Sequence, residues 1–160
     1  DRRVFSGFTA QRLFARQESF RLTEGQPKNK LNVGLDWDYD NFGVTLRTNR
    51  YGEVFLPSGF TTVTGTNPTS DITKAPGTVP GDIFLSPKWV TDLEFRFKPV
   101  ESVSVAIGAN NLLDTYPDRL PFGTVDGVNY GFNNSFLPYS SQSPFGFSGR
   151  FLYGRVSIDF

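Results

Sequence analysis

Alternation of apolar and polar residues at a period of two is the feature that most constrains this fold. In the last stretch, 149–160, one set contains Leu152, Val156, Ile158 and Phe160, and most of the intervening residues are charged or hydroxylated. This pattern predicts a β-strand whose two faces meet unlike surroundings. A strand of a soluble sheet shows it when one face packs on a core. A strand of a transmembrane barrel shows it when its apolar face meets lipid.

The same alternation predicts further strands, and together they make an all-β antiparallel meander of about five long strands. The predicted strands cover 30–40, 42–53, 88–98, 102–111 and 149–160. Asp40-Asn41 is a two-residue turn signal between the first two strands. Pro99-Val100-Glu101 predicts a second tight turn, between the third and fourth strands. Each strand is long enough to cross lipid when tilted, which takes about 9–11 residues.

The alternation also divides the strand residues between two faces. The apolar face is the one that a barrel would turn toward lipid, and its predicted membrane-facing residues are Leu35, Trp37, Leu46, Trp89, Phe95, Ile107 and Ile158. The opposite face is charged, and its predicted lumen-facing residues are Asp36, Asp38, Arg47, Glu94, Arg96 and Arg155. We expect cross-strand ion pairs on the charged face, such as Arg47 with Asp36 or Asp38.

The positions of the rings and the lengths of the connections are both typical of a barrel. Aromatic residues cluster beside the predicted short turns, and Trp89 lies at the opposite end of its strand, as in the two aromatic girdles of a membrane barrel. Short turns alternate with the long connections 54–87 and 112–148, so both long connections are expected at one end of the sheet. Loops above about 15 residues are uncommon in compact soluble domains. Residues 1–29 are predicted to form an extracellular loop with a short helix within 8–21.

Composition excludes several functions. The chain has neither Cys nor His, and its 16 basic and 16 acidic residues leave no basic field for nucleic acid. Asp36 and Asp38 face one way, as glycosidase acids do, but without a pocket or a neighbouring base. We therefore expect no catalytic residue, no metal site, no cofactor and no enzymatic activity. The chain begins at Asp1, without Met or a signal peptide, which we interpret as a fragment of a longer protein.

Three segments of the chain resemble TonB-dependent outer-membrane receptors. Gly25 to Val54 looks like their late barrel strands, and Ser143 to Phe160 looks like their final strand, terminal Phe included. Ala106 to Pro117 (AIGANNLLDTYP) is similar to their penultimate strand and its exit, where an Asn-Leu-Leu-Asp run is frequent. The resemblance covers about 25–160, with nothing to match 54–87. It implies that 30–160 are the C-terminal barrel segment, the last five strands of a 22-stranded transmembrane barrel.

The resemblance also implies a function and a set of partners. The parent protein would import a scarce bulky ligand of the siderophore, cobalamin or saccharide class across the bacterial cell outer membrane. Its partners would be outer-membrane lipid and lipopolysaccharide, the TonB energy-coupling complex acting through an N-terminal plug, and the barrel assembly machinery, for which Phe160 would be the assembly signal. This chain, which shows no plug, is not expected to transport by itself, and five strands would leave two unpaired edges.

Two alternatives stay open at the level of sequence. The segment 121–148 is rich in Phe, Tyr, Asn and Ser, a composition that suits an adaptable binding surface and equally suits self-packing over a barrel mouth. The predicted ligand-facing residues in and beside it are Tyr116, Tyr130, Phe132, Phe136 and Tyr139. The chain could also be a soluble β-sandwich module that binds a ligand or carbohydrate. In that fold a second sheet or a helix must cover the apolar face.

Overall fold

The computed structural model describes residues 16–57, 75–121, 124–125, 128–129 and 138–159. The elements within these residues are α1 (Arg16–Thr23), β1 (Lys30–Tyr39), β2 (Phe42–Tyr51), β3 (Val54–Leu56), β4 (Ile83–Leu85), β5 (Lys88–Val100), β6 (Val103–Asn110), β7 (Thr124–Val125), β8 (Val128–Asn129) and β9 (Phe151–Ile158). The described residues fall into two compact units. The sheet unit comprises those within 27–53, 86–118 and 141–160, and the helix unit comprises those within 1–26, 54–85 and 119–140.

The sheet unit is an antiparallel meander. Its strand order is β1-β2-β5-β6-β9, so each long strand pairs with the long strands before and after it in the chain. All four pairings are antiparallel. The all-β antiparallel meander of five long strands is therefore confirmed, with strand ends that differ by up to two residues from those predicted. Within the described residues, β1 and β9 each have one neighbouring strand and form the edges of the sheet.

The first tight turn lies where the sequence predicts it, and the second does not. Tyr39 pairs with Phe42 around Asp40-Asn41, and Asp40 adopts a φ of 50°, a left-handed conformation that Asp tolerates better than most residues. The turn predicted at 99–101 lies later, at 101–102, because β5 continues to Val100. The register shifts between Phe97 and Val100. Pro99 lies inside this shift, where a residue without an N–H interrupts the ladder.

The long connections leave the sheet after β2 and β6 and return at β5 and β9, at the end opposite the two tight turns. Both segments were predicted as loops, yet they contain short strands. In the first, β3 pairs with β4, and in the second, β7 pairs with β8. A connection built this way contributes structure of its own, as long functional loops commonly do.

The helix unit has a small apolar core. Val54, Leu56 and Leu85 are buried at its centre, and Ile83 and Leu120 pack against them. The helix α1 ends at Thr23, two residues beyond the predicted range of 8–21. At Gly25 a Cβ would lie 2.5 Å from the carbonyl oxygen of Arg21, so the chain can leave the helix this tightly only with glycine. No helix among the described residues is both long and apolar enough to cross a membrane.

A buried ion pair joins α1 to the segment before β4. Arg16 Nη2 lies 2.7 Å from Asp82 Oδ2, and both side chains are at most 1% exposed. Arg16 Nη1 donates to Asp82 Oδ1 at 2.9 Å, which makes the pair bidentate. The guanidinium also lies 4.9 Å from the centre of the Phe20 ring, and its Nη2 donates to the Ala75 carbonyl. The charges are thus compensated on several sides, as burial requires.

Candidate functional site

The strand registers give the sheet unit one apolar face that runs across all five strands. Leu35 lies opposite Leu46, and Leu46 lies opposite Leu93. The same face continues through the pairs Phe95 with Ile107 and Val103 with Ile158. Every residue predicted to face the membrane is on this face and is exposed in the structure: Leu35, Trp37, Leu46, Trp89, Phe95, Ile107 and Ile158. A face this apolar, exposed over this many strands, is unusual for a soluble protein.

None of the central residues of this face is buried. Five are exposed and three are half-buried, and together they are Leu35, Val44, Leu46, Leu93, Phe95, Val105, Ile107 and Val156. The exposed fraction reaches 62% for Leu35 and 64% for Val156. A soluble sandwich would cover these side chains with a second layer, whereas the described residues leave them open.

Aromatic rings border the apolar face near the tight turns. The Phe42 ring stacks on Phe97 with centres 4.9 Å apart, and Trp37 stacks on Tyr39 at 6.0 Å. Trp89 lies on the same face eight residues before Phe97, which is about 26 Å along the strand. In a strand tilted by about 40° this length corresponds to a height of roughly 20 Å, a little less than the apolar band of roughly 25 Å between the two aromatic girdles of a membrane barrel. The predicted assembly signal, Phe160, lies outside the described residues.

The opposite face carries all six of the residues predicted to face a lumen, and Arg96 lies at the centre of their contacts. Its Nη2 donates to Asp38 Oδ1 at 3.0 Å, and its Nη1 donates to the Thr45 hydroxyl. Thr45 in turn donates to Asp36. Arg96 thereby satisfies two carboxylates of β1 from its position on β5.

Glu94 extends these contacts to the last strand. It accepts a hydrogen bond from the Tyr153 hydroxyl at 2.9 Å and another from Arg155 Nη2 at 3.2 Å. Arg96 Nη1 lies 3.7 Å from the same carboxylate. We call the connected residues the polar network: Asp36, Asp38, Thr45, Glu94, Arg96, Tyr153 and Arg155. Glu94 and Arg96 are the more covered of its charged groups, whereas the Asp36, Asp38 and Arg155 side chains at its ends are exposed.

The predicted pairing of Arg47 with Asp36 or Asp38 was wrong, because Arg96 forms the ion pairs with both carboxylates. Arg47 lies opposite Gly34 and Asp92 in the registers, and Asp36 and Asp38 follow Gly34 by two and four residues along β1. Arg96 reaches Asp38 across Gly43, which lies between them in the sheet. A Cβ at Gly43 would overlap Asp38 Oδ1 and would lie 3.0 Å from Arg96 Nη2. Glycine therefore allows the two charged groups to meet over an intervening strand.

A second glycine has the same role between Glu94 and Tyr153. Gly108 lies between these residues on β6, and a Cβ there would overlap the Tyr153 ring, with Cε1 at 2.9 Å. The ring covers the glycine and brings its hydroxyl to the carboxylate of β5. Aromatic cover of this kind compensates a strand glycine for its missing side chain.

We expect Gly108→Ala to lower the free energy of unfolding by about 1–3 kcal/mol, because the added methyl group displaces the Tyr153 ring and breaks its bond to Glu94. The control is Gly154→Ala, where a Cβ would lie 3.9 Å from the nearest atom, the Ala106 carbonyl oxygen. That variant should be neutral or slightly stabilising. Urea titration of the full-length protein measures both values. Equal costs at the two positions would contradict the proposed role of Gly108.

The Asn-Leu-Leu-Asp run forms the exit from β6. Asn111 is buried, with Nδ2 donating to the Thr115 carbonyl and Oδ1 accepting from the Thr115 N–H, both at 2.8 Å. Asn111 and Asp114 both have positive φ, at 52° and 56°. Asp114 Oδ1 then accepts the N–H of Arg150 at 2.8 Å, next to the start of β9. The motif thus closes a turn and fixes the return of the last strand.

Asp118 fixes the entry to β5. Its carboxylate lies 2.6 Å from Lys88 Nζ and accepts hydrogen bonds from both the N–H and the hydroxyl of Ser86. Burial acts to raise the pKa of Asp118, but the hydrogen bonds from Lys88 and Ser86 outweigh it and hold the pKa below its ordinary value. The carboxylate therefore stays ionised at neutral pH.

Two adjoining grooves lie on the charged face. The first, of about 320 Å³, is lined by Arg47, Arg96 and Arg155 together with Asp92 and Glu94. The second, of about 290 Å³, lies toward the long connections and is lined by rings and amides, among them Tyr51, Phe145, Phe151, Asn49 and Asn110. Both grooves consist of sheet-unit residues, and they share Asp92 and Asn110.

The predicted ligand-facing aromatics do not form one site in the described residues. Tyr116 belongs to the sheet unit, where its ring lies against Gly149. Tyr139 belongs to the helix unit and forms a β-bridge with Arg119. Tyr130, Phe132 and Phe136 lie outside the described residues. Sequence reasoning missed the rings of the second groove, although Phe151 gave a signal, since it is an apolar residue on the charged side of an alternating strand.

Among the described residues, no three carboxylates lie close enough together to hold a metal ion. The charged face instead offers guanidinium, amide and aromatic groups, which suit binding by hydrogen bonds and stacking. Comparison with protein-family models, curated proteins and solved structures found no match to this chain.

Proposed function

We propose that this chain is the C-terminal wall segment of a TonB-dependent transporter in the bacterial outer membrane. In this proposal its five strands belong to a 22-stranded barrel that imports a scarce bulky ligand of the siderophore, cobalamin or saccharide class. The observation that carries the proposal is the exposed apolar face, continuous from β1 to β9 and bordered by rings. The charged face with its polar network then suits the interior of the barrel, because lumen and lipid residues alternate along such strands.

The proposal assigns partners to the two faces. Lipid contacts the apolar face, and lipopolysaccharide meets the rim at the long connections. The TonB energy-coupling complex acts through a plug, and the barrel assembly machinery inserts the strands. The wall has a binding and transport role, without enzymatic chemistry.

Single-cysteine labelling tests where the apolar face lies. The chain contains no cysteine, so each variant carries a single thiol within this chain. Two matched pairs of exposed neighbours on opposite faces are Leu46→Cys with Arg47→Cys and Val156→Cys with Ser157→Cys. Each variant of the full-length protein is labelled with a nitroxide in lipid vesicles. Collisions with oxygen, which is lipid-soluble, are compared with collisions with a water-soluble nickel chelate.

We expect labels at 46 and 156 to collide mainly with oxygen, and labels at 47 and 157 to collide mainly with the nickel chelate. Strong nickel collisions at all four positions would instead support the soluble binding module. Protection of 46 and 156 from both agents would show that protein covers the apolar face, and would also overturn the proposal.

A further inference from the structure

We infer that the second groove of the sheet unit, which we call the ring–amide groove, binds a neutral, hydroxyl-rich ligand such as one unit of an oligosaccharide. The inference narrows the ligand of the proposed transport function to the saccharide class. It depends on contacts within the sheet unit alone and holds whether or not the apolar face meets lipid. Its basis is the composition of the groove, which differs sharply from that of its neighbour.

The rings of the groove are placed where the alternation calls for polar residues. Phe151 pairs with Asn110 on the charged face and is 62% exposed. Tyr51 and Phe145 also line the groove, with ring centres 5.4 Å apart. Leaving an apolar ring in water forgoes the free energy of its burial, so an exposed Phe beside two further rings indicates a surface that a ligand covers.

The amides of the groove are available for hydrogen bonds. Asn49 and Asn110 line it from β2 and β6, and no hydrogen bond joins either side-chain amide to another described residue. Asn111 differs, because both ends of its amide are engaged by Thr115. A free side-chain amide offers two donors and one acceptor in one plane, which matches neighbouring hydroxyl groups.

The charge of the groove favours a neutral ligand. Among the described residues that line it, Asp92 is the one charged side chain, and its Oδ1 already accepts the N–H of Asn111 at 2.8 Å. The neighbouring groove, by contrast, holds three arginines. An anion would therefore bind at the arginines rather than between the rings.

The size and the mixture of groups indicate a sugar unit. A groove of about 290 Å³ is at the lower limit of ligand pockets, so it fits one portion of a larger ligand. A sugar ring presents C–H groups on its flat side and hydroxyl groups around its edge. Rings that supply apolar area and amides that fix orientation are the complement of that surface.

Saturation-transfer NMR tests the inference with three probes, maltotriose, cellotriose and tri-N-acetylchitotriose, added to the full-length protein in a detergent that carries no sugar headgroup. We expect transfer to at least one of the three, and a loss of affinity of about tenfold for Phe151→Ala. The control is Leu152→Ala, the next residue along β9, which is similarly exposed at 69% but lies on the apolar face. Its affinity should be unchanged.

A second variant keeps the test valid if Phe151→Ala impairs folding. Asn49→Ala keeps the ring surface and removes one amide, and it should also weaken binding several-fold. The inference is overturned if no probe shows transfer, if neither groove variant weakens binding, or if Leu152→Ala weakens it equally. If inorganic phosphate displaces the sugar probe, the claim that the ligand is neutral is overturned, and the binding is assigned to the arginine groove. A failure here leaves the labelling result of the transport proposal untouched.

Discussion

Replacing Asp82 by Asn is expected to destabilise the helix unit by about 3–5 kcal/mol. The substitution keeps the shape of the side chain but removes the negative charge that lies 2.7 Å from the Arg16 guanidinium, which is fully buried in the structure. Asp82 Oδ2 also accepts the N–H groups of Gly77 and Val79, and a neutral amide supports these bonds less well. Amide hydrogen exchange of the full-length protein, followed over α1 and β4, measures the loss as exchange that is about a hundredfold faster or more.

The control for this prediction is Glu18→Gln. It makes the same change from carboxylate to amide within α1, but Glu18 is exposed. We expect its effect to be within about 0.5 kcal/mol. Equal exchange rates for Asp82→Asn and Glu18→Gln would show that the buried pair does not hold the helix in place.

A lysine in place of Leu35 is expected to destabilise the sheet by about 2–4 kcal/mol if the apolar face lies in lipid, because a charge at the middle of the bilayer is poorly solvated. Leu35 lies near the middle of β1 and opposite Leu46. If the same face were in water, lysine at this position, which is 62% exposed, would be neutral or would improve solubility. Urea titration of the full-length protein in phospholipid vesicles gives the free energy of unfolding.

Gly34→Lys is the matched control for Leu35→Lys. Gly34 precedes Leu35 and lies on the charged face, where an added Cβ would meet Arg47 Cγ at 4.0 Å. A lysine there has room on the charged face, so the cost should stay below about 1 kcal/mol. Similar costs for the two lysines would contradict the lipid assignment of the apolar face.

The strands and their faces could be predicted from the sequence because the signal is local. A period of two assigns each side chain to a face as soon as the strand is recognised, so all seven apolar-face and all six charged-face predictions share their faces in the structure. The turn at Asp40-Asn41 could be predicted for the same reason, because its signal consists of two adjacent residues. The second turn was misplaced because Pro99 suggested a strand end, whereas the sheet absorbs it in a shift of register.

The contacts that cross the chain could not be predicted in this way. Arg96 rather than Arg47 binds the β1 aspartates because of the register and because of Gly43, which alternation leaves unspecified. Arg16 and Asp82 are separated by 66 positions, and no local pattern joins them. The ring–amide groove combines residues of β2, β5, β6, β9 and the segment before β9, so its composition emerges only once the strands are ordered.

The polar network has a mechanical consequence. It ties β1, β2, β5 and β9 together by side chains that pass over two glycines, one on β2 and one on β6. To separate β1 from β5, the contacts of Arg96 must break, and to separate β9 from β5, those of Glu94 must break, in addition to the backbone ladder. We therefore expect the sheet to move as one rigid unit, so that in the proposed transporter any widening of the barrel would occur outside these strands.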